Sequence, residues 1–183
     1  MRLLIARHAE DVGSGIPDLD RKLTEKGHEQ AKELQKVVKS FEPSIIVTSQ
    51  LTRAKETAEI SSSGIPIIYN RLFNEQIGGE SEDDTTDDGY VEKSQRLSGG
   101  ESYGELYNRV KEGWQWLLNN YSNESKIVLI CHGRYMSFLI PHILGLEPNG
   151  FNLAINNTSY LIFKIMEKWR PQLVLPMPCK FYL

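Results

Sequence analysis

A chain of 183 residues, 40% hydrophobic and 25% charged, has the size and balance of one soluble globular domain with a continuous core. Its net charge of −3 leaves no basic footprint for nucleic acid, so any anion site must be built from local cations. No apolar run approaches membrane-spanning length, the N-terminus lacks a signal-peptide pattern, and Cys131 and Cys179 make no disulfide framework.

A reduced, cytoplasmic protein is therefore expected, and the sequons at Asn123, Asn156 and Asn157 read as chance matches. Met1 to Ala6 reads as a short buried strand, and it ends in Arg7 and His8. Residues 9–22 read as a loop broken by Gly13, Gly15 and Pro17, with Asp18, Asp20, Arg21 and Lys22 in solvent. Thr24 suits an N-cap. The following helix runs to about Lys39, with Ala31, Leu34, Val37, Val38 and Phe41 at core spacing. Ile45 to Val47 is a second strand, Gln50 to Ser61 a helix with Ser49 or Gln50 at its start, and Pro66 to Tyr69 a third strand.

Residues 74–100 carry Glu80, Glu82, Asp83, Asp84, Asp87 and Asp88 and read as an acidic, lid-like loop. Tyr103 to Tyr121 is a helix with Leu106, Val110, Trp114, Leu117 and Leu118 on one face. Lys126 to Cys131 is a strand, and Tyr135 to Leu144 a helix despite Pro141. Ser159 to Ile165 and Gln172 to Leu175 are the last strands, and the tail from Pro176 is an ordered edge or packing arm. Strands alternating with helices predict a three-layer α/β/α domain over residues 1–183 with a mainly parallel central sheet. The sheet edge or the tail could serve an oligomer.

Three strand ends carry the chemistry: Arg7-His8, then Ser49 and Arg53, then His132-Gly133. In open α/β sheets ligands bind beyond the carboxyl ends of strands. Arg7-His8-Ala9, Leu23-Thr24-Glu25-Lys26-Gly27, Ser49-x-x-x-Arg53-Ala54-x-x-Thr57-Ala58, Gly100-Glu101-Ser102 and His132-Gly133 occur in that order. The set resembles the signatures of the histidine phosphatase superfamily, in its phosphoglycerate mutase-like branch. That resemblance implies a phosphoglycerate mutase-like fold and a phosphohistidine formed on His8. It implies phosphate binding by Arg7, Arg53 and His132. Glu75 is implied as leaving-group acid, with Glu80, Glu82 and Glu10 as competitors. It also implies further substrate contacts, for which Ser14 and Gly133 are the nearest residues.

The residues fit that chemistry independently. A neutral imidazole is a competent nucleophile near pH 7. Guanidinium groups hold two phosphate oxygens at once, and His132, if protonated beside the phosphate, would add a third cation or donor. A cysteine phosphatase is excluded, because its loop needs an Arg six positions beyond the cysteine and Ser137 stands there. His28 and His142 lie on helices without ligand spacing, so neither metal nor other cofactor is expected.

The leading expectation is a phosphomonoester hydrolase for a small phosphorylated substrate. A phosphoglycerate mutase is the alternative, and Asp20-Arg21-Lys22-Leu23-Thr24 resembles short phosphohistidine phosphatases. Ala9, where the family has Gly, raises a fourth reading: a silent phosphate-binding module, distorted if that position needs positive φ.

Overall fold

The computed structural model describes residues 1–13, 20–78, 99–147, 153–166 and 169–174. Six strands form one sheet: β1 (Arg2–Arg7), β2 (Ile45–Thr48), β3 (Ile67–Tyr69), β4 (Lys126–Cys131), β5 (Tyr160–Met166) and β6 (Trp169–Val174). Their spatial order is β3-β2-β4-β1-β5-β6. The first four run parallel, β5 is antiparallel to β1, and β6 is antiparallel to β5. The mainly parallel sheet and the alternation of strands and helices are as the sequence predicts.

Leu3 to Ala6 and Ile127 to Cys131 are buried without a break, as strands covered on both faces must be. Their side chains alternate between two cores. Leu3, Ile5, Ile127 and Leu129 pack with α3 (Tyr103–Asn120) and α4 (Gly133–Ile143). Leu4, Ala6, Val128 and Ile130 pack with α1 (Glu25–Phe41) and α2 (Thr52–Ser62). The sheet is thus the middle of three layers. No helix among the described residues is long and apolar enough to cross a membrane.

Local signals set most helix ends. Thr24 caps α1 by accepting from Gly27 N at 3.0 Å. Gly27 is required there: a Cβ would stand 2.0 Å from the Glu10 carbonyl oxygen. Ser102 and Glu105 form a capping box on α3.

Two helix starts differ from the sequence reading. Helix α2 begins at Thr52 rather than Gln50, because Gln50 N donates to Asn74 Oδ1 and Leu51 N donates to Ser49 Oγ in an extended turn. Helix α4 begins at Gly133 rather than Tyr135, because the distant Glu75 carboxylate accepts from Arg134 N and Tyr135 N. Leu118 is exposed, not core. The buried stripe of α3 is Leu106, Val110, Gly113 and Leu117, and at Gly113 a Cβ would meet Tyr135 Oη at 2.4 Å.

The acidic stretch from Glu80 to Asp88, the loop residue Ser14 and the tail from Pro176 lie outside the described residues.

Candidate active site

Register brings the motifs together. β4 lies between β1 and β2, with Arg7 opposite Cys131 and Thr48 opposite Ile130. The chain therefore leaves three adjacent strands at one level, carrying His8, Ser49 and His132. Backbone bonds continue past the strands, from His8 N to Cys131 O and from Ser49 N to Ile130 O. Arg53 reaches the same place from the first turn of α2.

His8 is held from several sides. Its carbonyl accepts from Asn157 Nδ2 and from Thr158 N. The next amide, Ala9 N, donates to Thr57 Oγ1, whose hydroxyl donates on to Arg53 O. Thr57 therefore ties the His8 turn to the helix that supplies Arg53, which gives the spacing between the two residues a physical meaning. Ala9 is buried, and it is not among the residues with positive φ. Its methyl packs with Leu23 and Ala31. The distortion that Ala9 could have caused is absent.

The tautomer of His8 follows from its partners. Nδ1 lies 2.7 Å from Ala9 O, a group that only accepts, so Nδ1 carries the hydrogen. Nε2 then presents its lone pair, and Arg53 Nε donates to it at 3.3 Å. Burial is the main influence on the ring and drives its pKa from 6.5 down to about 3. The Ala9 bond opposes that shift, while Arg53 and Arg7 add to it. His8 is neutral at pH 7, with an unprotonated Nε2.

His132 packs behind His8, with ring centroids 5.0 Å apart, and is wholly buried. Burial, followed by His8 and the guanidinium groups of Arg53, Arg109 and Arg7, pushes its pKa well below the ordinary value. Of the two roles expected for His132, cation or donor, the lowered pKa favours a neutral donor. Its Nε2 is 2.7 Å from Ser49 Oγ, and its Nδ1 has no partner. Arg7 donates through Nη1 to Ile155 O, while its Nε is buried and unpartnered. Two buried polar nitrogens without partners, one on the residue before His8 and one on the ring packed against it, are an uncommon combination in a folded interior.

A cleft of about 1060 Å³ opens over this cluster, lined by Arg7, His8, Arg53 and Glu75 among others. Glu75 is held at the N-terminus of α4 by Arg134 N at 3.1 Å and Tyr135 N at 3.0 Å. Its loop is fixed by Arg109, which donates to the carbonyls of Leu72, Asn74 and Glu75 and pairs with both oxygens of Glu101. This gives Glu101 and Arg109 a positioning task that the sequence reading did not assign. Of the competing acids, Glu10 turns away to Thr24 and Lys26; Glu80 and Glu82 lie outside the described residues. Gly133 packs against the Arg7 guanidinium, where a Cβ would stand 3.5 Å from Nε.

Two cleft residues were missed or misread. Asp11, 6% exposed, stands 3.7 Å from His8 Nδ1 and 3.8 Å from Arg53 Nε. Burial raises its pKa, but the bonds from Gly13 N and Arg21 outweigh this and hold it below the usual value. Arg21 is not a solvated loop charge: it donates to Asp11 through Nε at 2.7 Å and lines the cleft. The sequence offered no periodicity to mark either residue. Cys131 is a buried strand residue whose thiol burial pushes far up, so it is inert at neutral pH.

A family model described as histidine phosphatase superfamily (branch 1) matches residues 3–175. The uncharacterized phosphatase PhoE of Bacillus subtilis is 31% identical over 159 residues, covering 82% of this chain and 80% of that one. A relative in Erwinia tasmaniensis named "Probable phosphoglycerate mutase GpmB" is 25% identical over 178 residues, covering 87% and 82%. Among solved structures, the alpha-ribazole phosphatase of Shigella flexneri superposes with a TM-score of 0.81 over 96% of this chain and 95% of that one. At 22% identity it bears on the fold alone.

Proposed function

Because the chain belongs to branch 1 of the histidine phosphatase superfamily, we propose that its cleft hydrolyses small, soluble phosphate monoesters through a phosphohistidine on His8. One observation carries this reading: a neutral His8 whose Nε2 is unprotonated, with buried, unpartnered nitrogens on its chain neighbour Arg7 and on the His132 ring packed against it.

In the first step His8 Nε2 forms a bond to phosphorus and the ester P–O bond breaks. Arg7 and Arg53 bind the equatorial oxygens, whose positions and charge are most of what such a transfer asks of a protein. Glu75 gives its proton to the departing oxygen. In the second step the Glu75 carboxylate takes a proton from water, the hydroxide forms a bond to phosphorus, and the N–P bond breaks. Inorganic phosphate leaves and the site is restored.

Hydrolysis rather than mutase chemistry is supported by the outer cleft. Glu101, just before α3, and Glu105 and Glu112 on that helix line its wall, and Arg109 beside them is already engaged by Glu101. A phosphoglycerate would bring a carboxylate against that wall. The buried, undistorted Ala9 argues against a silent module.

The test is turnover of p-nitrophenyl phosphate by wild type and His8→Ala, with trapping of acid-labile phosphoprotein from a labelled substrate. Wild type is expected to turn over with EDTA present and to form the phosphoprotein, and His8→Ala to do neither. Normal turnover by folded His8→Ala would refute the mechanism.

A further inference from the structure

Ser49 is buried, sits immediately after β2, and makes two hydrogen bonds through one hydroxyl oxygen. Leu51 N donates to Ser49 Oγ at 3.2 Å, and His132 Nε2 lies 2.7 Å from the same oxygen. From this geometry we infer that Ser49 is a positioning residue that fixes the proton of His132 on Nδ1.

The argument is one of donors and acceptors. A serine hydroxyl has one hydrogen to give and lone pairs to receive with. Leu51 N–H occupies a lone pair, and His132 Nε2 is then the acceptor for the hydroxyl hydrogen. In that arrangement both polar functions of Ser49 are used. The neutral ring keeps its hydrogen on Nδ1, the buried nitrogen without a partner. The opposite tautomer would have Nε2–H donate to Ser49 and strand the hydroxyl hydrogen in the interior. It would also leave a bare lone pair on Nδ1, where a donor to phosphate needs a hydrogen. A buried polar atom without a partner is costly, so the first arrangement is the stable one. Because burial keeps His132 neutral, the tautomer decides whether the ring donates or repels. The turn that carries Ser49 is held by Asn74, which accepts from Gln50 N, one residue before the Glu75 acid.

The inference rests on reading His132 as a donor to a phosphoryl oxygen, and the test separates the two claims. Long-range proton–nitrogen NMR on imidazole-labelled protein identifies the protonated nitrogen of His132, assigned by its loss in His132→Gln. Wild type is expected to carry the hydrogen on Nδ1. Ser49→Ala is expected to give a tautomer mixture and about a ten- to hundredfold loss of kcat/KM on p-nitrophenyl phosphate, by analogy with the cost of removing the partner that orients a metal-bound imidazole. Ser49→Thr, which keeps the hydroxyl, should restore both. Wild-type His132 protonated on Nε2 would overturn the inference even if Ser49→Ala failed to fold, and so would an unchanged tautomer in folded Ser49→Ala. If His132→Gln turned over like wild type, the reading of His132 as donor would fail instead, whatever the Ser49 spectra showed.

Discussion

Replacing Glu75 by Gln removes a transferable proton while keeping the shape of the side chain. In the structure its carboxylate accepts from Tyr135 N, Arg134 N and Gln76 N. Glutamine has only one acceptor oxygen, so a backbone N–H at the start of α4 would face an amide NH₂. Losing that bond costs about 1 kcal/mol, and losing the charge at the helix N-terminus about 0.3–1 kcal/mol. The variant should therefore fold, with a urea midpoint shift corresponding to roughly 1–2 kcal/mol. Its kinetic effect should be larger and should depend on the substrate. General acid help is worth about 10²- to 10⁴-fold where the leaving group needs a proton, or about 2.7–5.5 kcal/mol of barrier.

An alkyl phosphate should lose kcat/KM by about that factor, whereas p-nitrophenolate leaves without help and its ester should lose far less. A fast burst of p-nitrophenol followed by slow turnover is expected as well, since the same carboxylate is to activate water in the second step. Glu10→Gln is the control, because Glu10 is bonded to Thr24 and Lys26 rather than set on the cleft wall. It should leave the ratio of the two activities unchanged. Equal losses on both substrates in Glu75→Gln would refute the acid role. A selective loss in Glu80→Gln or Glu82→Gln instead would move that role to the acidic loop.

Acid should destabilise the protein through His8. Its folded pKa of about 3 lies below the ordinary 6.5, so between those values the unfolded chain binds a proton that the native ring refuses. Stability contributed by the neutral ring is complete above about pH 6.5 and falls as pH drops, by about 1.4 kcal/mol per unit. Urea unfolding at pH 7 and pH 5 should show wild type losing about 2 kcal/mol more than His8→Ala; equal losses would contradict the burial argument. Gly27→Ala should lower stability by about 1–3 kcal/mol, because its Cβ would collide with the backbone oxygen of Glu10, which cannot swing aside. An unchanged melting temperature would mean that the turn after His8 can yield.

Much was legible in the sequence because it was written in short-range patterns. The unbroken apolar runs at Leu3 to Ala6 and Ile127 to Ile130 specify strands covered on both faces, and Thr24 specifies how α1 begins. Arg7, His8, Arg53 and His132 could be named because each stands at or just beyond a strand end, where an α/β sheet binds its ligands. What the sequence could not supply is any property that depends on two distant residues meeting. The neutral state of His132 comes from burial beside His8 and three arginines. The early start of α4 comes from Glu75, some sixty residues before it in the chain. Arg21 looked like a solvated loop charge and Asp11 carried no signal at all, yet the two became a pair inside the cleft. Thr57 and Ser49 were motif letters until β-sheet register set one against the Ala9 amide and the other against the His132 ring. Desolvation and hydrogen bonding act over a few ångströms in space, whatever the separation along the chain, so tertiary structure alone decided the protonation and orientation of the residues the sequence had picked out.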